Sequence, residues 1–323
     1  MNNIVNNIEK KNRPISVILK RNGITESIHK VHAVVCDFKG RILMCCGNPN
    51  YETFIRSALK PFQAIPFISS GAHEYLKLSN KGIAIACGSH IGTVEHARTA
   101  FSLLWKSDID VTALKCPIPK NKESKLEHNC SGKHAAFLAT CKKMNWSYEN
   151  YLDKNHPLQI EILRKLGEIV NLPSESFITS KDECGAPTLF LKINTMAKLY
   201  AILCQSKYSD LEQILRAMID KPELIRGEGE FDTELIKRGH GQIVSKGGAE
   251  GIQCIGRVNE GLGLSIKVED GSRRAKHAAA IHILKQLEWI TPTGSSELEK
   301  KLLPQSNHSR LEVKGKLRFQ ENL

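Results

Sequence analysis

Strand-forming sequence stands at both ends of this chain, with helical sequence between. Pro14 to Leu19 and Ile28 to Cys36 are runs rich in β-branched and small apolar residues, among them Val31, Ala33, Val34 and Val35. Arg21-Asn22-Gly23 between them is a turn signal. Asp37-Phe38-Lys39-Gly40 is a second turn, leading into the short strand Ile42 to Cys45. The opening is therefore an antiparallel meander. The last third returns to strands at Gln242 to Lys246, Ile252 to Arg257 and Gly263 to Val268, the latter two paired across Asn259-Glu260-Gly261. A helix follows from Arg274 to Trp289, with Ala275, Ala279, Ile283 and Leu287 on one face.

The helical middle begins at Arg56-Ser57-Ala58-Leu59-Lys60-Pro61-Phe62. Proline is tolerated in the first turn of a helix, where its missing N–H costs nothing. The helix therefore starts near Ser57, whose hydroxyl is expected at the positive end. Residues three apart share a helix face, so the Ser57 hydroxyl and the Lys60 amine are expected to meet. A serine needs a base beside it, and a lysine kept neutral by burial or by other cations is one. The plain alternative for Ser57 is an N-cap.

Further on, Gly82-Ile83-Ala84-Ile85-Ala86-Cys87 is a short buried run ending in Gly88-Ser89-His90-Ile91-Gly92-Thr93. The two glycines imply tightly bent backbone, with Ser89 either a turn residue or a presented side chain. Thr93 caps a helix whose apolar positions are Val94, Ala97, Phe101 and Leu104. In His128-Asn129-Cys130-Ser131-Gly132-Lys133-His134, a helix begins that runs to about Cys141. Cys130, Lys133 and His134 share the face of its first turn, and Gly132 admits a close neighbour. Pro157 to Val170 is amphipathic, with Ile160, Leu163, Ile169 and Val170 inward. Phe177 to Gly185 is a strand running into the rigid loop Asp182-Glu183-Cys184-Gly185-Ala186-Pro187. Leu189 to Cys204, Asp210 to Asp220 and Phe231 to Arg238 are helical. From Thr291 the chain is polar and is expected to be a loosely held tail.

Composition narrows the function classes. The net charge of +12 comes from 46 basic and 34 acidic residues over 323. The lysines are scattered, with no arginine-rich arm or aromatic platform, so no nucleic-acid partner is expected. No apolar run is long enough to span a bilayer, and Met1 to Arg13 lacks the apolar centre of a signal peptide. Ten cysteines without a regular framework are expected as reduced thiols, so a cytoplasmic location is expected. Gly247-Gly248-Ala249-Glu250-Gly251 fits no nucleotide-phosphate pattern.

Together with Arg238-Gly239-His240-Gly241 and Lys246-x-x-Ala249-Glu250-Gly251, the Ser-x-x-Lys, Cys-Gly-Ser-His, Asn-Cys-Ser-Gly-Lys-His and Cys-Gly-Ala-Pro blocks resemble the asparaginase II family, the rhizobial-type L-asparaginases. The resemblance covers about residues 14 to 290, leaving a polar N-terminal extension at 1–13 and a polar C-terminal tail at 291–323. It implies an α+β fold, a mixed and largely antiparallel sheet flanked by helices, similar to serine β-lactamases and penicillin-binding proteins. It implies hydrolysis of L-asparagine to aspartate and ammonia by a homodimer. Two Ser–Lys pairs are implied, Ser57 with Lys60, and Ser89, as the serine after an apolar strand at Gly82 to Cys87, with Lys267 in a late strand. Arg56, His134 and Asp182 are implied near the substrate, and Cys130, Lys133 and Cys184 as ligands of a Zn2+ ion. From the residues alone, Cys130 and Cys184 read equally as core thiols or a redox pair. Thr93, Pro117 and Glu183 depart from the usual family pattern, which bears on substrate preference. A glutaminase-like or β-lactamase-like hydrolase and an inactive zinc-bound amino-acid sensor are the alternatives. The absence of Ser-Asp-Asn and Lys-Thr-Gly motifs counts against β-lactam chemistry.

Overall fold

The computed structural model describes residues 12–205, 207–303 and 306–320. Residues 1–11, most of the expected N-terminal extension, lie outside the described residues. The chain divides into two compact units, each assembled from separate stretches. Met1–Thr53, Leu191–Gln205 and Glu234–Leu323 form the first; Phe54–Phe190 and Ser206–Thr233 form the second. The strands in chain order are β1 (Ile15–Arg21), β2 (Ile24–Asp37), β3 (Ile42–Cys46), β4 (Glu52–Phe54), β5 (Ile178–Lys181), β6 (Pro187–Lys192), β7 (Ile243–Gly247), β8 (Ile252–Arg257), β9 (Leu262–Val268), β10 (Ser309–Lys314) and β11 (Arg318–Phe319).

The first unit is built on an antiparallel sheet. Its strand order is β10-β1-β2-β9-β8-β7, with β3 added to β2 and β11 to β3. Each of these pairings is antiparallel. The meander read from the first strands is present, and β2 is long enough to pair with β1, β3 and β9. Strand β9 is buried from Gly263 to Val268, so both its faces are covered. The helix Ile193–Leu203 lies directly on it. A Cβ at Gly263 would fall 1.9 Å from the Ala197 carbonyl oxygen, so only glycine admits the helix at this spacing. The helix Arg273–Gln286 packs on the same sheet through buried Ala275, Ala278 and Ala279. The chain is α+β, as expected from the sequence.

The polar tail is corrected by the structure. Pro292–Leu302 is a helix, and β10 pairs with β1 over six registered positions, from Ser16↔Lys314 to Arg21↔Ser309. Leu317 is buried, and its backbone N–H and C=O bond to the Gln286 amide. The tail reads as loose because half-exposed β10 alternates Arg310, Glu312 and Lys314 with modest apolar residues. Deleting residues 304–323 removes the strand that covers the β1 edge and the buried Leu317. It is expected to cost about 3 kcal/mol or more and to lower Tm by roughly 5 °C or more. A truncated chain melting with the parent would contradict this.

The second unit is mainly helical, with the hairpin β5–β6 registered from Ile178↔Phe190 to Lys181↔Pro187. Its central helix, Ser131–Met144, is buried from Ser131 through Cys141. The neighbouring helix, Asn80–Cys87, lies so close that a Cβ on Gly132 would sit 2.3 Å from the Ile85 carbonyl oxygen. Four readings differ from the structure here. The apolar run before Ser89, taken in the family resemblance as a strand, is that helix. Thr93 does cap Val94–Lys106, but the buried face is His96, Thr99, Ala100, Leu103 and Leu104, with Val94 and Phe101 exposed. In Pro157–Val170 the inward positions are Leu158, Ile162, Leu166, Ile169 and Val170, and Ile160 is exposed. Leu189 to Lys192 belongs to β6 rather than to the following helix. Among the described residues no helix is long and apolar enough to cross a membrane.

Candidate active site

Ser57 lies in a short 3-10 turn, Arg56–Leu59, followed by the single turn Lys60–Gln63 and a further short helix from Ile65. Prolines at the starts of both helical pieces break what the sequence suggested was one helix, so the helix field at Ser57 is weaker than expected. The turn is anchored to β6. The Ile55 N–H donates to the Leu189 carbonyl at 2.9 Å and the Arg56 N–H to Thr188 Oγ1 at 3.1 Å. Arg56 takes a φ of 54°, a left-handed conformation that a non-glycine residue adopts only under local constraint. The chain kinks immediately before Ser57, which is half-buried.

The same anchoring brings in the Asp182–Pro187 loop. The Asp182 N–H donates to the Ala186 carbonyl at 2.9 Å, and Gly185 closes the turn at a φ of 84°. The Arg56 guanidinium donates to Asp182 Oδ1 from Nε at 3.0 Å and from Nη2 at 2.8 Å, and also pairs with the exposed Glu183 carboxylate. Arg56 and Asp182 are thus together, and the departure at Glu183 places a second acid on the same arginine.

Lys60 is wholly buried. Its Nζ donates to the carbonyls of Gly88 at 2.5 Å and Asn129 at 3.1 Å. Among the described residues no hydrogen bond joins it to Ser57; the amine rests instead against the peptide that precedes Ser89. Burial lowers the Lys60 pKa from its ordinary 10.5, opposed by Cys130 and assisted by the neighbouring Lys133 cation. Lys133 is the like charge acting here.

Ser89 is clamped between backbones. Its N–H donates to the Ile225 carbonyl at 2.7 Å, and Arg226 Nη1 donates to its carbonyl oxygen at 2.7 Å. Its Oγ is buried without a hydrogen-bond partner, which sets it apart from an ordinary turn serine. Arg226 was not singled out in the sequence, since an arginine in a connector carries no signal of its own. Next to Ser89, His90 Nδ1 accepts from the Gly92 N–H at 3.2 Å, so Nε2 carries the proton and faces Ser131 Oγ at 3.0 Å. Ser131 donates in turn to the Leu126 carbonyl at 2.7 Å. The His90 Nε2 proton, the Nδ1 lone pair and the Ser131 hydroxyl proton are all engaged in these bonds, so this contact is not a nucleophile–base pair.

Lys267, the expected partner of Ser89, belongs to β9 in the first unit. Its Nζ donates to the Glu250 carbonyl at 2.5 Å, which ties it to the Lys246–Gly251 block. Burial lowers its pKa, with Glu250, Asp270 and Glu269 opposing.

In the second unit the cluster expected around Cys130 is assembled. Cys130 is the residue preceding the Ser131–Met144 helix, Lys133 is on its first turn, and Lys133 Nζ donates to Cys184 Sγ at 3.3 Å. A hydrogen bond from Cys184 holds the Cys130 thiol well below its usual range against its burial, with Lys60 and Lys133 adding to the effect. Burial opposes the Lys133 ammonium, but Cys184, Cys130 and Asp182 outweigh it and raise its pKa. The site therefore favours thiolate beside ammonium. The remaining cysteines are buried without disulfides; burial pushes Cys141 up to about 12, and burial with the neighbouring Cys130 and Cys184 does the same to Cys116. Among the described residues there is no group of three His, Cys, Asp or Glu that could hold a metal, so a metal site here needs the lysine.

His134 is fully buried, with Nδ1 2.7 Å from the Tyr151 hydroxyl. Burial lowers its pKa to about 4, so the ring is neutral at physiological pH. Tyr151 was missed in the sequence, where one of two tyrosines in a polar connector has no pattern to mark it.

Ser57, Lys60, Ser89, Arg56, Asp182, Cys130, Lys133, His134 and Cys184 thus fall in one unit, and Lys267 in the other. Among solved structures, the chain is similar to Mglu in its native form, with 11% identity and a TM-score of 0.41 over 80% of this chain and 64% of that one. It is similar to Mglu in its L-glutamate binding form in 4.3 M NaCl, at 11% identity and a TM-score of 0.40 over 80% and 60% of the two chains. It is also similar to a β-lactamase from Mycobacterium bovis, at 9% identity and a TM-score of 0.36 over 81% and 95%. The chain thus spans less than two thirds of the length of these two Mglu chains. No curated protein sequence matches it. Residues 17–319, including most of the tail, match the family described as L-asparaginase II, and the chain belongs to that family.

Proposed function

We propose that this protein hydrolyses the side-chain amide of L-asparagine to aspartate and ammonia, with Ser57 as nucleophile and Lys60 as its base. One observation carries the reading: Lys60, three residues after the half-buried Ser57, is a buried lysine biased toward its neutral form. A neutral amine takes the Ser57 proton as Oγ attacks the amide carbon. The protonated amine then returns a proton to the departing nitrogen, which leaves as ammonia. Water cleaves the aspartyl ester by the reverse route. Serine–base contacts in resting enzymes are often long and close on substrate, so the open Ser57–Lys60 geometry is compatible with this role. Ser89, with its unpartnered Oγ beside the peptide that holds Lys60, relays protons in this scheme. Arg56 and Asp182 are the charged pair suited to an amino acid's carboxylate and ammonium. The direct test is ammonia release from asparagine, glutamine and a chromogenic β-lactam in parallel. Release from asparagine well above the other two is expected; a folded preparation inert toward asparagine would sink the reading.

We further propose that Cys130, Lys133 and Cys184 hold one zinc ion. The donor chemistry fits: the Cys130 thiol is already held toward thiolate, and Lys133 touches Cys184. Lys133 must give up a proton to bind, so occupancy should rise with pH. Zinc so bound would fix the Cys184 loop and neutralise the thiolates. Elemental analysis is expected to find about one zinc per chain and little in Cys184→Ser. Equal metal in both would remove the site.

A further inference from the structure

Tyr151 is fully buried, and its hydroxyl oxygen accepts from the Lys115 backbone N–H at 2.9 Å. The hydroxyl proton must then go elsewhere. Among the described residues the one acceptor in contact with it is His134 Nδ1, at 2.7 Å. A phenol has one proton, and leaving it unpaired in a buried site is costly. The proton therefore points at Nδ1, which must offer a lone pair. A neutral imidazole with its lone pair on Nδ1 carries its own proton on Nε2. That second nitrogen is buried with no hydrogen-bond partner, while the Cys184 thiol beside the ring acts on it.

We propose that Tyr151 is a positioning residue: anchored by the Lys115 N–H, it holds His134 as the Nε2–H tautomer, so the ring presents a donor beside Cys184. Two consequences follow. His134 offers no lone pair on that side, so it neither accepts a proton there nor joins the ligands Cys130, Lys133 and Cys184. It is instead a donor preset toward an electron-rich acceptor on the Cys184 side of the ring. A buried N–H without a partner in the resting site is what such a preset donor looks like.

The tautomer belongs to the resting protein, whereas its effect on turnover rests on the asparagine reading. The experiment separates the two. The full chain, labelled with ¹⁵N-histidine, is examined by long-range ¹H–¹⁵N correlation without substrate, and the His134 signals are assigned by their loss in His134→Gln. In the parent, His134 is expected to show protonated Nε2 and unprotonated Nδ1. In Tyr151→Phe, which keeps the ring and its packing, the two tautomers should mix. Asparagine turnover in Tyr151→Phe should fall about tenfold. His134→Gln, whose amide N–H stands near the Nε2 position, should retain more activity than His134→Asn. A parent His134 protonated on Nδ1, or a Tyr151→Phe protein with an unchanged tautomer, overturns the proposal. If the parent does not act on asparagine, the functional reading fails while the spectrum still decides the tautomer.

Discussion

Replacing Ser57 by alanine is expected to lower asparagine turnover by ~10⁴ or more, the loss typical of removing a nucleophile. Ser89→Ala should leave substantially more activity. Ser57 follows directly on the kink at Arg56, is half-buried, and has its base one turn further along the chain. Ser89 is almost completely buried, with its backbone held by the Ile225 carbonyl and by Arg226. A carbonyl carbon from solution reaches the first more readily than the second. The helix field adds little to the choice, because the turn at Ser57 is short. Steady-state ammonia release from both variants checks this, with circular dichroism to confirm that each is folded. Undiminished turnover in Ser57→Ala would reverse the roles.

Lys60→Met is expected to reduce turnover by at least ~10³, since general-base assistance alone contributes on the order of 10²–10⁴. Lys60→Arg should be equally inactive, because a guanidinium does not give up its proton at accessible pH. The pH dependence has a definite sign. Burial, with Lys133 nearby, sets the folded pKa of Lys60 below its ordinary 10.5. The base works only when unprotonated. Thus kcat/KM should rise with pH through that lowered pKa and level off above it, falling about tenfold per pH unit on the acid side. The Cys130 and Cys184 sulfurs oppose the shift, so neutralising either should move the rising limb to lower pH. A profile flat from neutral to alkaline pH would exclude a lysine base.

Much of this site was legible before the fold was known, because it is carried by local chemistry. Gly132 announced a close approach, and the Ile85 carbonyl makes it. Cys130 and Lys133 were placed by helical spacing, and the distant Cys184 by the family resemblance. Failures occurred where tertiary context decides. Gly82 to Cys87 is too short and too apolar for its period to distinguish helix from strand. The Val94–Lys106 helix follows a different rule: its buried side takes His96 and Thr99, polar residues satisfied by the Glu223 and Glu95 carbonyls, while Val94 and Phe101 stay exposed. Strand β10 is an edge strand whose charges disguise it. The roles of Tyr151 and Arg226 exist only once distant backbone groups, the Lys115 N–H and the Ser89 carbonyl, have been brought to them.

The most direct test is covalent trapping. The intact protein is incubated with an electrophilic asparagine analogue, digested, and the modified residue located by mass spectrometry. The mechanism predicts a single adduct on Ser57, absent from Ser57→Ala and still formed in Ser89→Ala. An adduct on Ser89 or on Cys130 in the parent would contradict it.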